Sequence, residues 1–361
     1  MIPVLYESTA TSFTSCGLGE LADALSCIVT EERNGLCSLE MEYPTDAIRY
    51  PDIATGRLIK AASAPGEYNI FCIKDLDYST EGVVKIHAPQ EMCFRLSSAK
   101  RFLAAKSYTW TASGGAGGND IRDVFHNHLL ARVRPHMTEV TDDHGLVVVP
   151  GCTFTGDFSL ELDTQRYINW GKERPSAFEL TQAVAEGFGG EIRWGFNRVD
   201  VLQRRGSDTR LEIRYGVNML KLDAETSGET YITAAMPAGS EDVDTDYVRA
   251  DSPGVFPFFR IEEVENGTSL TDYLASSATL KTAIKVEFDA EGHANVEYDG
   301  DIWQLHLCDT VVVVHPVIEL MQEAMIVQTV FNSLLERYIS LSVGEIIQDI
   351  TDTIAALVRG K

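Results

Sequence analysis

The sequence predicts an α+β chain, rich in strands and divided into several domains, with a helix at its C-terminus. Three observations lead there. Short strand-like runs crowd the first hundred residues, separated by Gly, Pro, Asn and Ser. A capped amphipathic helix stands well downstream, at Ser176–Gly190. The 361 residues exceed what one core usually organises, so about two to four domains are expected.

The candidate strands of the first hundred residues are Ile2–Tyr6, Ala24–Arg33, Leu36–Tyr43, Arg57–Ala62, Tyr68–Asp77 and Gly82–His87. Their close spacing fits a small barrel or sandwich. The second and third form a hairpin, because Asn34-Gly35 suits the two positive-φ positions of a type I′ turn. Leu39, Met41 and Tyr43 alternate with Ser38, Glu40 and Glu42. One face is therefore apolar and the other acidic. A two-residue turn pairs Ile28 with Met41 and Thr30 with Leu39.

Beyond the hairpin region, the Gly-rich run Ala112–Asp120 reads as a flexible loop, and Ile121–Val133 as a helix ended by Pro135. In the clearest helix, Ser176 and Glu179 form a capping box, and Leu180, Val184 and Phe188 make one apolar stripe. Gly189-Gly190 supplies the stop. Strands follow at Glu191–Trp194 and Arg198–Arg204, around a Gly195-Phe196-Asn197 turn, and then at Thr209–Tyr215. The acidic stretch Glu241–Asp251 reads as a surface loop or domain boundary. A helix at Ser269–Ser277 and strands at Thr282–Phe288, His293–Tyr298, Ile302–Pro316 and Ala324–Phe331 complete the middle of the chain.

Val343–Val358 reads as helical. Its Ile347, Ile350, Ile354 and Leu357 fall at alternating spacings of three and four, the seam of a coiled coil. β-branched residues at both seam positions favour three or four strands over two. The same stripe equally fits a helix docked on its own domain, since short helices are marginal alone.

Charge and motifs narrow the function classes. The net charge of −24 disfavours dedicated nucleic-acid binding, which needs basic surface to displace counterions from phosphates. It fits a self-repelling surface, or one that DNA passes without sticking. Seven dispersed cysteines without a C-x-x-C pair argue for reduced thiols. No apolar run reaches the length of a membrane span, and the first residues lack the pattern of a signal peptide. Gly17–Ala22 has dinucleotide-fingerprint spacing but lacks the strand-turn-helix context that gives the fingerprint its chemistry. His126, His128, His136, Asp142, Asp143 and His144 are the densest potential metal ligands. On a helix, however, His126 and His128 point apart, and the i, i+4 spacing of a zinc helix is missing. With no nucleophile elbow and no local Cys–His pair, no catalytic residue, metal or cofactor is assigned.

Three ordered segments resemble one family. The first is VTEERNGLCSLEMEYP, from Val29 to Pro44. The second is Pro175–Leu220, with its helix, Gly-Gly-Glu, Phe/Asn turn, Arg-Gly and Tyr-Gly-Val-Asn-Met. The third is LHLCDTVVVV followed by VQTVFNSLLERYISLSVGE, within Leu305–Glu345. Together they resemble the N-terminal hub region of siphophage and prophage tail proteins, the tail-associated lysin or prophage tail endopeptidase family, akin to contractile-tail baseplate hubs. Cys308 stands where that family carries glycine, and Val343 precedes Gly344.

The resemblance implies a baseplate-hub-like fold with two small tube-type β-barrels and inserted α/β domains. Residues 1–100 would form the first barrel, completed by 209–236. An inserted α/β domain would span 101–208 and a peripheral mixed domain 237–300. Residues 301–345 would belong to the second barrel and 346–361 to the C-terminal helix. The resemblance also implies a homotrimer at the virion tail tip, contacting a distal tail protein and a tape-measure protein. DNA would pass through at ejection without specific binding, and nothing would insert in a membrane. The hairpin residues Asn34, Gly35, Leu39, Met41 and Tyr43 would build the first barrel, and Ile347, Ile350, Ile354 and Leu357 the trimer seam. Glu40 and Glu42 would face the channel or a subunit interface. Hydrolysis of peptidoglycan would reside in a separate region; the alternative places it within this chain.

Overall fold

The computed structural model describes residues 2–99, 103, 105–111, 140–141, 147–149, 151–158, 164–227, 231–237, 239, 247–249, 256–264, 270–277, 281–287 and 304–344. The chain divides into two compact units. One comprises Met1–Lys221 with Val286–Leu341, the other Leu222–Lys285 with Ser342–Lys361.

The first unit opens with eight strands: β1 (Val4–Tyr6), β2 (Gly19–Glu20), β3 (Ser26–Glu32), β4 (Cys37–Pro44), β5 (Leu58–Ala64), β6 (Glu67–Cys72), β7 (Asp75–Tyr78) and β8 (Val83–Pro89). Side-chain alternation sets which face is covered. β3 buries Cys27, Val29 and Glu31; β4 buries Cys37, Leu39, Met41 and Tyr43; β8 buries Val84, Ile86 and Ala88. These meet Leu5, Ile59, Ala61 and Phe71 of the sheet ordered β2-β1-β5-β6. The expected strand Tyr68–Asp77 breaks at Ile73-Lys74. β6 stays in that sheet, while β7 pairs with β8 in the other. A strand that changes sheets must bend, and the buried Ile73 sits at the corner.

The hairpin register differs from expectation by one residue. The loop is three residues, Arg33-Asn34-Gly35. Glu32 N donates to Leu36 O at 2.9 Å and Gly35 N to Glu32 O at 3.0 Å. Asn34 alone has positive φ, at 54°. Val29 therefore pairs with Leu39 and Cys27 with Met41, while Ile28 and Thr30 face outward opposite Glu40 and Ser38. The cause is tertiary. Arg33 N donates to Val327 O at 2.8 Å, and the Asn34 amide is engaged elsewhere, as described below.

Helix α1 (Glu91–Ser98) was not legible as a helix. Its N-cap is Gln90, whose side chain accepts from Cys93 N, and glutamine is not among the usual capping residues. The following region contributes β9 (Ser107–Thr111), β10 (Val140–Thr141), β11 (Val147–Val149), β12 (Thr153–Gly156), β13 (Gln165–Asn169), α2 (Ala177–Phe188), β14 (Glu191–Gly195) and β15 (Arg198–Leu202). α2 carries both hydrogen bonds of the capping box and ends at Gly189 in the left-handed region. Its stripe of Leu180, Val184 and Phe188 joins the same core as the first strands.

β16 (Asp208–Arg214) closes this part of the chain. Next in the chain come β17 (Lys221–Ser227), β18 (Ala234–Pro237), β19 (Val248–Arg249), β20 (Ile261–Val264), α3 (Leu270–Ser277) and β21 (Lys281–Glu287). In the second unit, β18, β20 and α3 contribute to a small core of Ile232, Ala235, Val264 and Leu274. The chain returns to the first unit with β22 (Thr310–His315), β23 (Leu320–Asn332) and β24 (Arg337–Val343). Val343, read as the start of the C-terminal helix, is thus the last residue of a strand. β16 runs parallel to β22. The long β23 pairs with β22 over Leu320–Met325 and with β3 over Gln328–Asn332. N- and C-terminal strands therefore share one sheet, and among the described residues no strand order closes into a separate barrel.

Candidate assembly surface

The hairpin tip is a tertiary clamp. Asn34 Nδ2 donates to Gly190 O at 2.9 Å, and its Oδ1 accepts from Ile192 N at 2.8 Å. Asn34 O accepts from Gln182 Nε2 at 2.7 Å, and Gly35 O from Trp194 Nε1 at 3.1 Å. A side-chain amide is thereby matched to the backbone just beyond α2, as a short strand edge would be. Leu39, Met41 and Tyr43 lie fully in the core beneath.

A buried joint ties the same hairpin to the C-terminal strands. Glu31 and Arg205 pair in parallel, Nη1 to Oε1 at 2.7 Å and Nη2 to Oε2 at 3.2 Å. A fork-to-fork geometry of this kind makes a buried ion pair tolerable. Next to it, Gly206 packs on the Cys308 backbone so closely that a Cβ would lie 2.1 Å from the carbonyl carbon. Asp309 accepts from Ser207 N and Oγ and from His306 N. Cys308 itself has φ of 74°. That left-handed backbone accounts physically for the glycine that the resembling family carries there. Burial pushes the thiols of Cys27 and Cys308 up to about 12, which leaves them protonated and unreactive.

The opposite face of the hairpin sheet is polar. Cross-strand rows place Glu40 beside His87 and then Asp75, and Glu42 beside Lys85 and then Asp77. Lys85 Nζ lies 3.2 Å from Glu42, and the His87 ring bridges Glu40 at 3.3 Å and Asp77 at 3.1 Å. Four carboxylates surround one lysine and one histidine, so the face stays acidic although it is laced by ion pairs.

One surface feature was missed by sequence reasoning. The β22–β23 connection is a 3₁₀ turn, Pro316–Ile318, with Val317 78%, Ile318 56% and Met321 74% exposed. Tyr215 flanks it, its ring stacked on His315 with centroids 4.3 Å apart. Turns ordinarily carry Gly, Asn, Asp or Ser, so Val-Ile at a hairpin tip was the available signal. These exposed apolar side chains lie together at the hairpin tip.

The seam residues Ile347, Ile350, Ile354 and Leu357 lie outside the described residues, as do His126, His128, His136, Asp142, Asp143 and His144. Among the described residues no group of three or more metal-ligating side chains converges. No helix among them is long and apolar enough to cross a membrane.

No protein-family model matches the chain, and no curated protein matches it. Solved structures do. Prophage tail protein gp18 from Listeria monocytogenes EGD-e superposes with a TM-score of 0.60 at 12% identity, covering 99% of either chain. The 43 kDa tail protein of prophage MuSo2 from Shewanella oneidensis gives 0.57 at 13% identity, over 95% of this chain and 98% of that one. The tail protein from Neisseria meningitidis MC58 gives 0.53 at 9% identity, over 96% and 97%. The chain has the β-rich fold of these prophage tail proteins.

Proposed function

We propose that this chain is a structural subunit of a phage or prophage tail, at its tip, where three copies form a hub ring that continues the tail tube. The observation that carries this reading is likeness over the whole length: 99% of this chain and 99% of the Listeria prophage tail protein superpose. The surfaces described above give the reading its physical content. The β22–β23 tip offers an apolar contact between copies or to a neighbouring tail protein. A distal tail protein on one side and a tape-measure protein on the other are the proposed neighbours. The acidic face with Glu40 and Glu42 is proposed to line the channel, where carboxylates would keep DNA from adhering during ejection. The seam Ile347, Ile350, Ile354 and Leu357 is proposed as the place where three chains meet near the axis.

The test is assembly. Val317→Asp combined with Met321→Asp places charge on the exposed tip without touching the core. Surface changes of this kind shift stability by within about 0.5 kcal/mol. The expected result is an unchanged unfolding midpoint, with loss of the ring from mass photometry of the co-expressed tail components. Normal rings in the double variant would remove the tip from the interface, and a dimeric or six-chain ring in the wild type would overturn the trimer. A zymogram on bacterial cell walls tests the hydrolase alternative directly.

A further inference from the structure

A cavity of about 380 Å³ opens between β6 and the β14–β15 hairpin, lined by Tyr68, Arg193, Trp194, Phe196, Arg198 and Asp200, among others. Its electrostatics stand out in a chain of net charge −24. Asp200, with its side chain only 5% exposed, accepts from both arginines: Arg198 Nε at 2.6 Å, and Arg193 Nε and Nη2 at 3.2 and 3.0 Å. The Thr155 hydroxyl completes its shell. One carboxylate thus holds two guanidinium groups. They spend three N–H donors on it, and their side chains remain 48% and 55% exposed. Each guanidinium has five donors, so most are still available in a fork whose orientation Asp200 fixes. The Arg205 guanidinium also lines the cavity but is neutralised by Glu31. Glu67 also lines the cavity and lies within 4.0 Å of His306.

We propose that this cavity docks an acidic segment of a protein partner, with one carboxylate seated on the Arg193–Arg198 pair. Planar forks match a carboxylate bidentately. Tyr68, Trp194 and Phe196 offer aromatic surface for the residue beside it. β6 is the outer strand of its sheet, so along Glu67–Ile70 its backbone can receive an extended peptide. A nucleic-acid strand would bring a phosphate at every residue against an acidic chain, whereas a short peptide brings only a few carboxylates. Glu67 reduces the amount of negative charge the groove accepts. The site is separate from the apolar hairpin tip and does not depend on it.

The experiment is fluorescence anisotropy on the full chain with a labelled hexapeptide alternating Asp and Tyr. The same peptide with Asn for Asp, and a six-residue thymidylate, are the comparison probes. Saturable binding is expected for the acidic peptide alone. Arg193→Gln with Arg198→Gln weakens it at least about tenfold, the scale of one lost charge-assisted contact. Glu67→Gln tightens it, and Arg198→Lys, which keeps charge but not the fork, falls between. Should the double variant lose its fold, Arg198→Gln alone serves, because Asp200 then keeps Arg193 and Thr155. Equal binding of the Asp and Asn peptides, insensitivity to the arginine variants, or tighter binding of thymidylate would each overturn the proposal.

Discussion

At the scale of single residues, two positions hold left-handed backbone for different reasons. Asn34 is there because its amide must reach Gly190 O and Ile192 N. Asn34→Gly keeps the backbone free but leaves both partners unpaired, for a loss of about 1–3 kcal/mol. Asn34→Ala loses the same bonds and adds about 1 kcal/mol of left-handed strain. Urea unfolding should rank them wild type, Gly, Ala; a Gly variant as stable as wild type would show that the amide clamp contributes nothing. Cys308 is in the left-handed region at 74° where its backbone packs closely on Gly206. Cys308→Gly relieves strain and loses a buried thiol, terms of similar size, so its stability stays within about 1 kcal/mol of wild type. Cys308→Val puts a β-branched side chain on the same backbone and should cost about 2 kcal/mol or more. Thermal melts of the two variants, compared side by side, test the argument, and equal melting temperatures would contradict it.

At the scale of elements, local signals were legible and tertiary ones were not. The α2 helix was readable to its caps, because Ser176, Glu179 and Gly189 act on neighbours in sequence. The β4 alternation was readable for the same reason. The hairpin register was not, because its one-residue offset depends on β23 and on the strand after α2, which lie far away in sequence. α1 was hidden by its Gln90 cap, and the break between β6 and β7 by continuous strand-like sequence. Among the surfaces, the acidic face was visible in the alternation of Glu40 and Glu42. The Arg193–Asp200–Arg198 cluster was not, since its members converge only when β14 folds back on β15. That cluster makes the β14–β15 hairpin acid-sensitive. Burial acts to raise the Asp200 pKa, but hydrogen bonds from Thr155, Arg198 and Arg193 outweigh it, and the carboxyl titrates below its ordinary value. With a folded value below the unfolded one, its stabilisation is complete above the usual carboxylate range and is lost as pH falls through the folded value. The stability gap between wild type and Asp200→Asn should therefore be largest near neutral pH and shrink as pH falls below the ordinary aspartate range. A gap that stays constant across a pH series of denaturant melts would contradict this sign.

At the scale of the whole molecule, the governing number is the net charge of −24, from 54 acidic and 30 basic residues. Copies of such a chain repel one another before any contact forms. Association through an apolar tip must overcome this repulsion, and salt weakens it. The screening length shrinks from about 30 Å at 0.01 M to about 10 Å at 0.1 M ionic strength. Ring formation should therefore strengthen with salt over that range, as read by sedimentation or mass photometry. An interface held by ion pairs would weaken instead, and that result would contradict an apolar contact. The same logic tests where the Glu40 and Glu42 face lies. If three such faces converge on a channel, their mutual repulsion opposes the ring, and Glu40→Lys with Glu42→Lys removes part of it. Assembly at low salt should then improve, while particles carrying the variant release DNA more slowly, because cations now line the path. If the face lies on the outside of the ring, the reversal leaves DNA release unchanged, and only measurements on the assembled particle separate the two placements.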